Sequence, residues 1–138
     1  MRVFLDTNVL ASAFATRGLC EDVFREVITF HEFVVSRTVL TELETALLQK
    51  FRVPAAMSSD ILEFLLSNAT VAQQPVLLSL SISDEADIRI VSEAVSAAAD
   101  ILVTGDKEVA SLCQVEGMRV LSPRQFWEHI RAEENNQG

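Results

Sequence analysis

The stretch Arg2-Val3-Phe4-Leu5-Asp6-Thr7-Asn8-Val9-Leu10 governs how the rest of the chain is read. Val3, Phe4 and Leu5 make a short apolar run of β-branched and aromatic character, which suits a strand. The run stops on a carboxylate at Asp6, and from Val9 the apolar spacing becomes helical. In an open α/β sheet ligands sit just outside the carboxyl ends of the strands, so Asp6 falls where chemistry is expected.

Working outward, runs like Arg2–Leu5 recur at Glu32–Ser36, Thr70–Gln73, Asp100–Thr104 and Met118–Leu121. Between them lie segments with apolar residues every three or four positions: Val9–Ala15, Glu21–His31, Arg37–Phe51, Pro54–Ser67, Asp84–Ala98, Lys107–Gln114 and Pro123–Ala132. Strands alternating with helices predict an α/β fold with a parallel sheet of about five strands covered by helices. Pro54 suits a first helical turn, and Pro123 does the same behind Ser122, a capping residue. The 138 residues are the size of one domain, expected over residues 1–132, with a polar, frayed tail at 133–138.

Apolar residues make up 49% of the chain, yet no run approaches the roughly 20 residues that a membrane helix needs. Met1-Arg2 leads straight into the first strand, so no secretory segment is expected and the reading is a soluble, cytoplasmic protein. Cys20 and Cys113 lack paired spacing and read as reduced core thiols. A net charge of −9 excludes the broad basic surface by which most nucleic-acid binders hold the phosphate backbone. A nucleic-acid substrate would therefore require bound divalent cations or a basic partner to offset repulsion.

The acidic residues are distributed with a pattern. A second apolar strand, Ile101-Leu102-Val103-Thr104, ends at Gly105-Asp106 and mirrors the placement of Asp6. Each aspartate also suits an N-cap of the helix that follows it. In Ser83-Asp84-Glu85-Ala86-Asp87 the last residue shares a helical face with Ile90, Val91 and Ala94, so Asp87 points inward. Asp84 suits the cap, and Glu85 a solvated first-turn acid. In the helix carrying Val39, Leu40, Leu43, Ala46 and Leu47, Glu42 and Glu44 flank the apolar stripe on opposite sides, and periodicity does not choose between them.

Inward carboxylates from four segments repel one another and raise one another's pKa unless neutralised. Magnesium accepts such oxygen ligands and keeps open positions, which implies phosphodiester hydrolysis by an activated water. No histidine is required, and His31 and His129 read as structural or solvated groups at helix ends.

These residues resemble a known family. Leu5-Asp6-Thr7-Asn8-Val9-Leu10 and Leu102-Val103-Thr104-Gly105-Asp106-Lys107 look like the two signature segments of PIN domains, and the similarity spans nearly the whole chain. Ser36-Arg37-Thr38-Val39-Leu40-Thr41-Glu42-Leu43 resembles the family's central acidic helix and selects Glu42 over Glu44. Asp84-Glu85-Ala86-Asp87 resembles the third acidic segment, although three acids there depart from the usual pattern. Arg119-Val120-Leu121-Ser122-Pro123-Arg124-Gln125-Phe126 is similar to the close of a PIN subgroup of toxin components.

The resemblance implies a three-layer α/β/α sandwich and a magnesium- or manganese-dependent endoribonuclease whose ion is held by Asp6, Glu42, Asp87 and Asp106. It further implies that Asn8 orients Asp6 and that Thr104 bonds within the acidic pocket. VapC-type toxins pair with antitoxins and commonly form homodimers, so a cognate antitoxin and a second copy are the implied partners beside RNA.

Arg17, Arg37 and Lys107 fall in segments expected near the active edge and are candidate phosphate contacts. Ile61, Phe64 and Leu65 fit either a core stripe or an interface. The helicase-like tetrapeptide at Asp84–Asp87 stands without a GxxxxGK[ST] loop, and the chain is too short for two motor lobes. A phosphatase built on a strand-end Asp wants a second Asp where Asn8 stands. A receiver domain fits loosely because Lys107 directly follows Asp106. A PIN-like module that binds without turnover is the remaining alternative.

Overall fold

The structure, a computed structural model, describes residues 1–137. In chain order the elements are β1 (Arg2–Leu5), α1 (Thr7–Ala15), α2 (Leu19–Phe30), β2 (Glu32–Val35), α3 (Arg37–Thr45), α4 (Ala55–Asn68), β3 (Thr70–Val71), α5 (Glu85–Ser96), β4 (Ile101–Val103), α6 (Lys107–Ala110), β5 (Gln114–Val115), β6 (Met118–Leu121) and α7 (Pro123–Gln137).

The strands form a single six-stranded sheet in the order β3-β2-β1-β4-β6-β5. All neighbours are parallel except β5 and β6. Val3, Phe4, Leu5, Val34, Val35, Leu102 and Val103 are wholly buried, so both faces of the central strands are covered, as a parallel sheet with crossover helices requires. The register sets Phe4 between Val34 and Leu102, with Val120 beyond. The core continues into the helices through Leu10, Val27, Leu43, Leu47, Leu65, Val91 and Phe126.

The order fixes where the site lies. From β1 the chain winds one way to β2 and β3, and from β4 it winds the other way to β6. The reversal lies between β1 and β4, and at such a switch point the crevice opens at the strands' carboxyl ends.

Several expectations need correction. The five expected strands form the parallel part of the sheet, and a sixth, Gln114–Val115, turns back antiparallel onto β6. The helix expected over Lys107–Gln114 is a single turn, ended by Cys113 and Glu116 in the left-handed region (φ 59 and 50) without a glycine at either position. Cys113 is consequently exposed rather than a core thiol, and Cys20 is half-buried. The long helix Arg37–Phe51 loosens after Thr45 into a π turn over Ala46–Lys50 and closes on Arg52 at φ 56. Pro54 stands outside α4 as its cap.

Ser122 caps α7 as expected, its hydroxyl accepting from Gln125 N at 3.1 Å while the Gln125 amide oxygen accepts from Ser122 N at 2.9 Å. This reciprocal pair is a capping box. The segment expected to fray continues α7 through Gln137, and Gly138 lies outside the described residues. His129 therefore sits within α7 rather than at its end, 3.2 Å from Glu133. No helix among the described residues is long and apolar enough to cross a membrane.

Candidate active site

Asp6 and Asp106 follow neighbouring parallel strands and meet through one side chain. Thr104, wholly buried, donates its hydroxyl to Asp6 Oδ2 at 2.8 Å. The Thr104 hydroxyl oxygen in turn accepts the backbone N–H of Asp106 at 3.1 Å. The other Asp6 oxygen accepts Thr7 N at 2.7 Å. Asp106 Oδ1 accepts Val109 N at 3.1 Å and so caps α6. Capping and ligand duty are compatible, because each carboxylate oxygen has more than one lone pair.

Glu42 reaches the cluster from α3. It is half-buried, and its Oε2 accepts the Thr7 hydroxyl at 2.9 Å. Glu44 is exposed and lines a shallow hollow on the other flank of α3 with Leu40, Leu62 and Leu66. Asp84 caps α5, accepting Asp87 N at 3.0 Å, and Glu85 is exposed. Asp87 stands in the first turn of α5, partly buried.

Burial pushes the Asp6 carboxyl above its ordinary value against the pull of the Thr104 and Thr7 hydrogen bonds, and Asp106 adds repulsion. Asp87 is pushed up to about 6, first by burial and then by the charges of Asp106, Asp84, Asp6 and Glu108. Among the described residues no Arg, Lys or His forms an ion pair with Asp6, Glu42, Asp87 or Asp106. Partly desolvated anions without a counter-charge are costly.

Among the described residues no group of three or more His, Cys, Asp or Glu side chains is already gathered into an ion-binding cage. The donor chemistry still fits a hard divalent cation: every candidate ligand is a carboxylate oxygen, and the charge is uncompensated.

Two supporting residues differ from expectation. Asn8 is exposed and, among the described residues, makes no hydrogen bond to Asp6, whose orientation comes from Thr7 and Thr104. Thr7, the link between Asp6 and Glu42, was not singled out in the sequence; its signal was a second hydroxyl-bearing residue directly behind the strand-end acid. Of the candidate cations, Arg37 and Lys107 are exposed first residues of α3 and α6, at the carboxyl edge of the sheet. Arg17 lies beyond the far end of α1, about 14 Å along a nine-residue helix from Asp6.

With this geometry in hand, comparison with known proteins is decisive in one respect: a family model described as PIN domain matches residues 2–108, a span that holds all four acids. The chain belongs to the PIN-domain family. The fold of this PIN domain is shared by solved structures of low sequence identity. A chain of the VapBC2 structure from Rickettsia felis, bound to a DNA fragment from its promoter, aligns with a TM-score of 0.62 at 16% identity, covering 88% of this chain and 98% of that one. PAE2754 from Pyrobaculum aerophilum aligns with a TM-score of 0.62 at 19% identity, covering 96% and 90%. The PIN domain endonuclease Utp24 aligns with a TM-score of 0.51 at 18% identity, covering 88% and 84%. No curated protein matches this PIN domain in sequence.

Proposed function

We propose that this PIN domain is a divalent-metal-dependent endoribonuclease and the toxin member of a toxin–antitoxin pair. The observation that carries the reading is the Thr104 hydroxyl shared between the Asp6 carboxylate and the Asp106 backbone at the switch point of the sheet. Asp6, Glu42, Asp87 and Asp106 are the residues that would hold Mg2+ or Mn2+. Such an ion, when bound, supplies positive charge against the phosphodiester oxygens and makes water a better nucleophile at neutral pH.

The protein's own part is positioning. Thr104 and the Thr7 amide hold the two Asp6 oxygens, and the Thr7 hydroxyl holds Glu42, so two acids are oriented through two threonines. Asp87, pushed up to about 6, keeps its proton at mildly acidic pH and releases it near neutrality. Arg37 and Lys107 flank the crevice from the first turns of α3 and α6 and are the exposed cations suited to the phosphate backbone.

The partner reading rests on fold likeness to the VapBC2 chain and on charge. A net charge of −9 favours a basic antitoxin. On α4, Met57, Phe64 and Leu66 are exposed, which supports an apolar interface for an antitoxin or for the second copy in a homodimer.

The test is direct. Purified protein should cut single-stranded RNA with magnesium or manganese and stop with chelator, and Asp6→Asn should lack the activity while keeping its fold. Undiminished cleavage by that variant would remove the mechanism. Metal-dependent RNA binding without any cleavage would favour a binding module instead.

A further inference from the structure

Next to the acidic crevice is a second hollow, of about 310 Å³, whose lining includes Arg37, Thr38, Gln73, Gln74, Arg89 and Glu93. That volume is at the lower end for small-ligand sites. It lies at the carboxyl ends of β2 and β3, just as the acids lie at those of β1 and β4. Two strand spacings separate the sites, about 10 Å. They are tied together by shared helices: α3 carries Thr38 and Glu42, one turn apart, and α5 carries Asp87 and Glu93.

Glu93 is the unusual member, a carboxylate only 4% exposed. One oxygen accepts the Thr38 hydroxyl at 2.9 Å, whereas Oε1 has no partner. A buried acceptor left unpaired is expensive and calls for an explanation at the site where it occurs. Arg89 does not supply one, since its Nε is 4.0 Å from Glu93 and instead donates to the Thr38 hydroxyl at 3.3 Å. The missing partner is a hydrogen-bond donor. A metal ion is a poor candidate, because Glu93 is the one carboxylate lining the hollow. Phosphate would be repelled from Glu93, but Arg37 and Arg89, both exposed, suit it at the periphery.

The ligand class that brings an anionic part and a donor-bearing edge together is a nucleotide. We infer that this hollow takes the RNA nucleotide flanking the cleaved bond, with Arg37 and Arg89 on its phosphate and Glu93 accepting from an exocyclic amino group of its base. Glu93 Oε1 is enclosed in the structure, and the move of Arg89 onto the phosphate is what opens it to the base, the side-chain amides of Gln73 and Gln74 completing the edge contacts. Single-stranded RNA is read in this way, on base edges splayed into pockets. Adenine, cytosine and guanine carry an amino group, and uracil does not, so uracil is the base rejected.

This inference rests on the ribonuclease reading above, and the experiment separates the two. Full-length protein with magnesium is given a short RNA randomised around its centre, and the cut ends are sequenced. Wild type should disfavour uracil at one flanking position by about tenfold, the discrimination of one good edge contact. Glu93→Gln keeps an acceptor for Thr38 and should bring that ratio within about twofold. Arg89→Gln should slow cutting in every context and leave the ratio alone. Cutting without discrimination against uracil by wild type, or with discrimination unchanged in Glu93→Gln, overturns the subsite while the nuclease stands. No cutting by wild type overturns the nuclease reading and this one with it.

Discussion

The two rims of the same sheet treat charge in opposite ways. At the amino ends of the strands Glu32 and Asp100 both have partners. Glu32 pairs with Arg2 at 3.2 Å and accepts the Thr70 hydroxyl at 2.9 Å, and Asp100 accepts Arg2 N at 2.7 Å. At the carboxyl ends Asp6, Glu42 and Asp106 accept hydrogen bonds from threonines and backbone, but among the described residues neither they nor Asp87 pair with a cation. Asp6 and Asp87 are driven up in pKa there, first by burial and then by the neighbouring acids. Pairing at the first rim stabilises the fold; the imbalance at the second is the feature on which the proposed metal site rests.

The contrast breaks most visibly with the strand-end acids. Asp106→Asn should reduce magnesium-dependent cleavage on the order of a thousandfold, comparable to deleting a principal electrostatic group, while the metal-free protein melts no lower than wild type. Cleavage within tenfold of wild type would place the ion elsewhere. Next in size is the pair on α3: Glu42→Gln should lose about ten- to a hundredfold in metal affinity or activity, and Glu44→Gln should lose little. The reverse ranking, measured side by side, would show that the Thr7 contact does not orient a ligand.

A smaller effect separates the metal-free from the metal-bound state. Asp87 titrates near 6 in the folded chain against an ordinary 3.8, so between those values the folded state holds the extra proton. Stability of the metal-free protein from this group is then highest below the ordinary value and falls as pH rises through about 6. Thermal melts in chelator should follow that slope, and Asp87→Asn should flatten it. Added magnesium should stabilise increasingly across the same interval, because ligands must shed protons to bind. The smallest effect belongs to the amino rim, where Arg2→Gln should cost at most about 1 kcal/mol for a partly exposed pair and leave cleavage unchanged.

Much of this was legible in the order of residues. Five strands, the two strand-end aspartates and the Ser122 cap follow from periodicity and local chemistry, which neighbours in sequence determine. What escaped depends on tertiary contact. Gln114–Val115 continues a helical-looking segment, and only pairing with β6 makes it a strand. Spacing places Glu42 and Glu44 alike beside one stripe, and the Thr7 hydroxyl distinguishes them. Asn8 was expected to hold Asp6, but the first helical N–H, from Thr7, is nearer. Arg17 fell outside because α1 carries the chain away from the carboxyl rim. Glu93 lies one position from Ser92 and Ala94 on a helix whose burial is decided by the neighbouring elements, and no pattern marked it.

The two outermost strands of the sheet, β3 and β5, are only two residues long. A strand from another molecule would find one or two free backbone groups on either flank, too few for a stable ladder. Assembly by sheet extension, and the fibrous growth that follows from it, is thereby disfavoured, which leaves the helices and the loops between elements as the docking surface.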